Sequence, residues 1–407
     1  MKNHKPPNSS DMPENNLLRN KNKQPLKKKH VLLVVYHPVG GIRTFLRYVY
    51  RNFDPLKWRF TVIAPDVQHM RVLLEDLSMH DIEWVKIDKS SGYFEMTASI
   101  ARQVVKGKYD LVHSHGFTSG MCAAFPAFVW RIPHLMTSHD VINKSQFSGV
   151  NGRLRKHGMA LLFSLIDKVQ SVSHDAQKNL LSFFPGLAKK NGKCLVIQNG
   201  IETERFLNAE PIDLRSELKF GNDVFLIGFF GRFMSQKGFG YLVEAVEILR
   251  ASGEVLPKKP VVITLGEGGF LNREKRLIES KGLEGYFCHM AFTPNIAGVI
   301  KGVDVVAMPS LWEACGLLAM ETLVCGTPLI ASDCIGLREV VRNTPALSIT
   351  KADSYSLSKA LFFEMKHRSK AEYEDYKEKA IKRYDVLNTS KQLSALYKEM
   401  TSMKNRC

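Results

Sequence analysis

From His30 onward, short apolar runs alternate with longer stretches in which apolar and polar residues mix at helical spacing. HVLLVVY, RFTVIAPD, IEWVKID, DLVHSHG, PHLMTSHD, KVQSVS and KCLVIQNG read as strands, and IRTFLRYVYRNF and FEMTASIARQVVKG between them read as helices. Strands apolar at nearly every position belong to sheets covered on both faces, which are parallel sheets with helical crossovers. The rhythm breaks in IETERFLNAEPIDLRSELKFGND, which is polar, lacks a strand-like run and holds Pro211 and Gly221. A second series follows at once through VFLIGFFGRF, PVVITLGEG, VDVVAMPS, PLIASD and ALSIT. The pattern predicts two tandem Rossmann-like, doubly wound α/β domains, residues 30–205 and 206–385, whose strand ends face one cleft. Charged helical segments run from Ser354 onward, and residues 386–407 are expected to form a C-terminal helix that packs back on the first domain.

Composition narrows the partners. The chain has 407 residues, 44 % of them apolar, and a formal net charge of +17. Such a charge calls for an anionic partner: a phosphorylated small molecule, an anionic lipid surface or nucleic acid. Lysine and arginine are dispersed, with a run only at Lys27, Lys28 and Lys29, which argues against nucleic acid. Residues 1–29, with Pro6, Pro7, Pro13 and Pro25, are expected to be a disordered basic tail without the apolar core of a secretory signal. No run approaches the roughly 20 apolar residues that span a bilayer. MCAAFPAFVW is too short and holds Pro126. The seven cysteines form no C-x-x-C pair and are odd in number, which suits a reducing compartment and neither a zinc site nor a disulfide framework. A cytoplasmic location is expected, with peripheral contact at the inner face of a membrane left open.

The chemistry centres on EACGLLAME, where Glu313 and Glu321 bracket seven uncharged residues. Gly316 precedes a helix-like run and Gly326 ends it. Glu313 then lies in a loop and Glu321 inside the helix, with the free N–H groups of Gly316, Leu317 and Leu318 at its start. Such an end attracts phosphate through unpaired donors and the helix dipole. A diphosphate on the helix end, flanked by acids that accept from hydroxyl groups, has the layout of a nucleoside diphosphate-sugar. Arg232 and Lys237 follow the strand FLIGFFG and would neutralise that diphosphate. Gly40 and Gly41 follow the first strand and allow close approach of a ligand to the backbone. In GRLRKHGMALLFSLI, Arg153, Arg155, Lys156 and His157 precede an apolar run. Membrane contact and a core helix with a basic first turn both fit, and the core helix is preferred.

PSLWEACGLLAMETLVCGTPLIASDCIGLREVV resembles the E-x7-E region of the retaining glycosyltransferases of family 4 (glycosyl transferases group 1), which have the GT-B fold. IGFFGRFMSQKGFGYLVEAVEIL, VIQNGIE, HPVGGIRTFL, TSHD and SVSHDAQKNL also have counterparts there, so the resemblance covers roughly Val31 to Ile349. Ala314 and Cys315 stand where a glycine and an aromatic residue are frequent.

The resemblance implies a retaining, hexosyl-type transfer from a UDP- or GDP-sugar to a carbohydrate or lipid-linked hydroxyl in glycan or polysaccharide biosynthesis. It places the acceptor in the first domain and the donor in the second. Arg232, Lys237, Gly316, Leu317 and Leu318 would hold the diphosphate and Glu321 the ribose. Glu313 would face the sugar, with His139 beside it, both as catalytic residues. Gly40 and Gly41 would face the donor phosphates or the acceptor. His113, His115 and His174 are read as structural. The chain has no Asp-x-Asp, so no metal and no cofactor beyond the co-substrate is expected. A sugar-nucleotide epimerase of similar fold and a basic nucleic-acid-binding protein remain as alternatives.

Overall fold

The computed structural model describes residues 27–403 apart from 89, 91 and 368. Most of the expected basic tail (1–26) and Cys407 lie outside the described residues. Lys29 is already in the first strand, because its N–H bonds to Lys57 O at 2.9 Å.

Seven strands form the first sheet: β1 (Lys29–Val35), β2 (Trp58–Pro65), β3 (Ile82–Ile87), β4 (Leu111–His115), β5 (His134–Ser138), β6 (Lys168–Ser171) and β7 (Cys194–Val196). Their order is β3-β2-β1-β4-β5-β6-β7, all parallel. The second sheet holds β8 (Val224–Phe230), β9 (Lys259–Leu265), β10 (Phe287–Met290), β11 (Val305–Met308), β12 (Leu329–Ser332) and β13 (Leu347–Ile349). Its order is β10-β9-β8-β11-β12-β13, again parallel. The central strands are buried: β8 along its whole length and β1 from Val31 to Val35. That burial is why VLLVV and VFLIGFF are apolar at every position rather than at alternate ones. Each sheet reverses its winding beside its first strand, between β1 and β4 and between β8 and β11. In open α/β sheets ligands bind at this reversal, outside the carboxyl ends of the strands.

The chain between the sheets holds two short helices, Thr203–Leu207 and Leu214–Glu217. It meets the end of the chain where Ile201 bridges Asp385. The C-terminal helix, Val386–Met403, then lies against the first sheet's elements. Ser390 Oγ donates to Val49 O at 3.0 Å, and Tyr397 is fully buried.

The helix Gly149–Leu165 departs from the core reading of its sequence. It buries only Gly152 and Phe163, and leaves Val150, Leu154 and Leu161 exposed. The continuous run MALLFSL looks like core by composition, but only one face of that run reaches the sheet.

Candidate active site in the cleft

The two winding reversals face each other. Gly40 follows β1 and caps the helix Gly41–Tyr50 with φ +56°. A Cβ built there would lie 3.1 Å from Arg232 Nη2, so glycine lets the guanidinium rest against the opposite domain's backbone. Gly41 has open space around it. Arg232 and Lys237 both sit in the segment after β8, as their sequence position requires.

Glu313 follows β11 and is buried. Its backbone is clasped by the turn after β12: Glu313 N donates to Ile335 O at 3.0 Å. Gly336, at φ +77°, comes so close that a Cβ there would meet Glu313 O at 2.1 Å. The side chain is held as firmly. Lys237 Nζ donates to Oε1 at 2.6 Å and Ser310 Oγ to the same oxygen at 2.8 Å.

The helix Leu317–Cys325 starts at Gly316, in the left-handed conformation, and ends at Gly326, also left-handed. No side chain caps its start. The N–H groups of Gly316, Leu317 and Leu318 have no acceptor among the described residues. Glu321 lies just over a turn in, with Tyr48 Oη of the first domain 3.4 Å from its Oε1. Burial raises the Glu321 carboxyl to about 7, against the partial opposition of Arg205 and the Tyr48 hydroxyl. Sequence reasoning passed over Tyr48 and Arg205. The signal for Arg205 was its place just past NGIE, at the crossing between the sheets.

His139 follows β5 and is the end of a buried chain of side chains. Gln170 Nε2 donates to Ile197 O at 3.2 Å, so its Oε1 accepts from Thr137 Oγ1 at 2.7 Å. Thr137 has then spent its proton and accepts from His113 Nε2, 2.7 Å away. His113 Nδ1 is left an acceptor for Tyr397 Oη at 2.5 Å or Tyr50 Oη at 2.9 Å. Tyr50 and Tyr397 lie 2.7 Å apart and have one proton each. One proton goes to His113 and the other joins the two hydroxyls, so His115 Nε2, 3.0 Å from Tyr50 Oη, donates. His115 Nδ1 therefore accepts from His139 Nε2 at 3.1 Å. His139 keeps a lone pair on Nδ1, which has no partner among the described residues. Burial pushes His139 down to about 3 and His113 and His115 well below their ordinary value, so all three rings are neutral. Asp140, the next residue, was also missed; loss of hydration raises its carboxyl, and the charges of Glu313 and Arg232 both reach it.

A clasp joins the domains beside this site. Arg338 pairs with both oxygens of Asp175, at 2.7 and 3.0 Å. In return Glu339 accepts from the N–H groups of His174 and Asp175, at 3.2 and 2.9 Å, at the start of the helix His174–Phe183. Burial alone would raise Asp175, but Arg338 and the Gly336 N–H outweigh it and hold the carboxyl below the usual range. Among the described residues no cluster of three or more histidine, cysteine, aspartate or glutamate side chains is placed to hold a metal ion.

Two family models match. Residues 39–205 fit Glycosyltransferase Family 4 and residues 212–383 fit Glycosyl transferases group 1, together most of the chain. A D-inositol 3-phosphate glycosyltransferase of Nocardia farcinica is 27 % identical over 61 % of this chain and 57 % of its own length. Its counterpart in Actinosynnema mirum is 26 % identical over 61 % of this chain and 62 % of its own. The matches thus span under two thirds of these relatives. Among solved structures, Anabaena HepE in complex with UDP-glucose superposes with a TM-score of 0.76 at 19 % identity, over 91 % of this chain and 99 % of that one. WaaG, a glycosyltransferase involved in lipopolysaccharide biosynthesis, superposes with 0.68 at 15 % identity, over 90 % and 99 %. The fold is GT-B, and the chain belongs to the family 4, group 1 glycosyl transferases.

Proposed function

We propose that the chain moves a hexosyl group from a UDP- or GDP-sugar to a hydroxyl of a carbohydrate or lipid-linked acceptor, with retention at the anomeric carbon, on the cytoplasmic side of glycan or polysaccharide biosynthesis. The observations that support this are the pairing of Lys237 with the buried Glu313, the guanidinium of Arg232 against the Gly40 turn across the cleft, and the uncapped start of Leu317–Cys325 between Glu313 and Glu321. The diphosphate rests on the N–H groups of Gly316, Leu317 and Leu318. Arg232 and Lys237 neutralise it as it leaves, without a metal ion. A lysine ammonium has three donors, so Lys237 can keep Glu313 and still reach a phosphate oxygen. Glu321 accepts from the ribose hydroxyls. The first domain, with its Gly40–Gly41 loop, receives the acceptor.

Glu313 is a positioning contact to the sugar hydroxyls in this reading. A carboxylate oxygen tied to Lys237 and Ser310 is a poor nucleophile. Retention then runs on one face: the bond from C1 to the phosphate oxygen breaks, the acceptor oxygen bonds to C1 from the same side, and its proton passes to the leaving diphosphate. His139 Nδ1 accepts from a hydroxyl of the donor sugar. Closure of the cleft excludes the water that would hydrolyse the donor. The HepE complexes with UDP and with UDP-glucose support a nucleotide-sugar donor for this fold.

The test is a panel of nucleotide-sugars screened by thermal shift, since a true donor stabilises the folded chain by mass action. The stabilising donor is then turned over with candidate acceptors and the anomeric configuration of the product read by NMR. A product of inverted configuration, or no stabilisation by any nucleotide-sugar, would overturn the reading.

A further inference from the structure

We propose that the outer face of three helices in the first domain, Tyr93–Lys106, Phe117–Val129 and Gly149–Leu165, docks on an anionic membrane surface. The three are neighbours. Cys122 Sγ donates to Tyr93 O at 3.7 Å, and the rings of Phe117 and Phe163 lie 6.3 Å apart. Together they and the residue that follows Phe117–Val129 carry more than half of the exposed large apolar side chains among the described residues. Phe125, Phe128, Trp130, Val150, Leu154 and Leu161 are each between 41 % and 73 % exposed. A helix of 17 residues that buries only two has not met its partner within this chain.

The pattern on Gly149–Leu165 is directional. Val150, Leu154 and Leu161 fall at i, i+4 and i+11, within about 40° of one another around the axis. Arg153 lies about 80° from the middle of that stripe, while Lys156 turns to the face of the buried Phe163 and rests over the Phe183 ring at 5.7 Å. Tyr93–Lys106 adds Arg102 and Lys106, and Glu95 is the one acidic residue on all three helices. Apolar side chains with cations beside them suit the boundary between anionic headgroups and acyl chains, and Trp130 has the amphipathic ring favoured there. A second copy fits poorly, since each copy has a net charge of +17 and the same basic rim. No described helix is long and apolar enough to cross a membrane, so the contact is peripheral. It would hold the first domain, the acceptor side in the proposed function, against lipid.

The experiment is co-sedimentation of the full chain with vesicles of phosphatidylcholine, with and without phosphatidylglycerol, at low and raised salt. Binding is expected only with phosphatidylglycerol, weakening with salt. Leu154→Ser with Leu161→Ser is expected to weaken it at least about tenfold, from the lost apolar burial. Arg102→Gln with Arg153→Gln is expected to weaken it about fivefold per side chain. Trp130 emission should shift to the blue on binding, and Trp130→Phe should remove that shift. Equal binding to both vesicles, or anionic binding untouched by the leucine pair, overturns the proposal; in the latter case the attraction comes from another basic part of the chain. Loss of a solution dimer in the leucine variant, read by light scattering, or loss of tight DNA binding, would overturn it in favour of a second copy or of nucleic acid. Nucleotide-sugar binding by the same variants is expected to be unchanged, so failure here leaves the donor site standing.

Discussion

Lys237 Nζ lies 2.6 Å from Glu313 Oε1, and the two come from loops after different strands of the second sheet. The glutamate is nearly buried while the lysine keeps some access to solvent. Lys237→Ala therefore leaves Glu313 with Ser310 and a long contact to Gln236. Outright loss of a partner to a buried charge costs about 3–5 kcal/mol, and the lysine's exposure and the Ser310 bond reduce that to about 1–3 kcal/mol. Adding Glu313→Gln is expected to recover part of the loss. Denaturant unfolding of the four members of this cycle measures the coupling, and additive losses would contradict the pairing.

Glu321 should make the proposed donor site pH-dependent. Its folded value, about 7, stands above the ordinary 4.5, so the stability tied to its protonated form is complete below 4.5 and is lost as pH rises through 7. Glu321→Gln is expected to stabilise the ligand-free chain above pH 7, by at most about 3 kcal/mol. Donor binding is expected to run the other way, because in the proposed function the ribose hydroxyls donate to the carboxylate. Titration with a nucleoside diphosphate-sugar, which has no group of its own ionising near neutrality, should show affinity rising from pH 6 to 8. A flat profile would remove Glu321 from the ribose.

The hydrogen-bond chain to His139 ranks its members. Tyr397→Phe leaves Tyr50 able to donate to His113 and still accept from His115. Tyr50→Phe removes the acceptor for His115 Nε2 and frees both tautomers of His115 and His139. The loss of kcat is expected to be larger for Tyr50→Phe than for Tyr397→Phe, with the donor KM little changed. Nitrogen-15 shifts of the His139 ring should show one tautomer in the native chain and a mixture in Tyr50→Phe. Equal effects, or an unchanged tautomer, would contradict the chain.

The architecture was legible because parallel strands buried on both faces leave apolar runs such as VLLVV and VFLIGFF, which no amphipathic element produces. Glu313 and Glu321 were legible because the helix between them is bounded by Gly316 and Gly326. What stayed hidden lies in pairs distant along the chain. Tyr48 meets Glu321 across the cleft, and Tyr397 reaches His113 from the C-terminal helix; neither has a local pattern to betray it. The helix Gly149–Leu165 misled for a different reason. Met159 to Phe163 is apolar without a break, so periodicity does not tell which face is covered, and only Phe163 is buried.

The clasp of Arg338, Asp175 and Glu339 should set how readily the cleft opens. Asp175 sits below the usual carboxylate range, so its contribution is present above the ordinary 3.8 and fades as pH falls through its lower folded value. Arg338→Ala leaves the Asp175 carboxylate with only the Gly336 N–H across the interface, while the Asp175 N–H keeps Glu339. Small-angle scattering is expected to show a larger radius of gyration for the variant in the absence of donor, returning toward the native value when donor is added. An unchanged radius would mean that other interface contacts hold the domains by themselves.

The central claim is that a diphosphate docks on the start of Leu317–Cys325 between Arg232 and Lys237. Calorimetric titration of a nucleoside diphosphate, with the matching nucleoside as control, tests it most directly on native chain, Arg232→Ala and Lys237→Ala. Each substitution is expected to weaken the diphosphate by about 10–100-fold, the worth of a lost bond to a charged group, and to leave the nucleoside unchanged. Diphosphate affinity equal in all three proteins, or an equal loss for the nucleoside, would contradict the account.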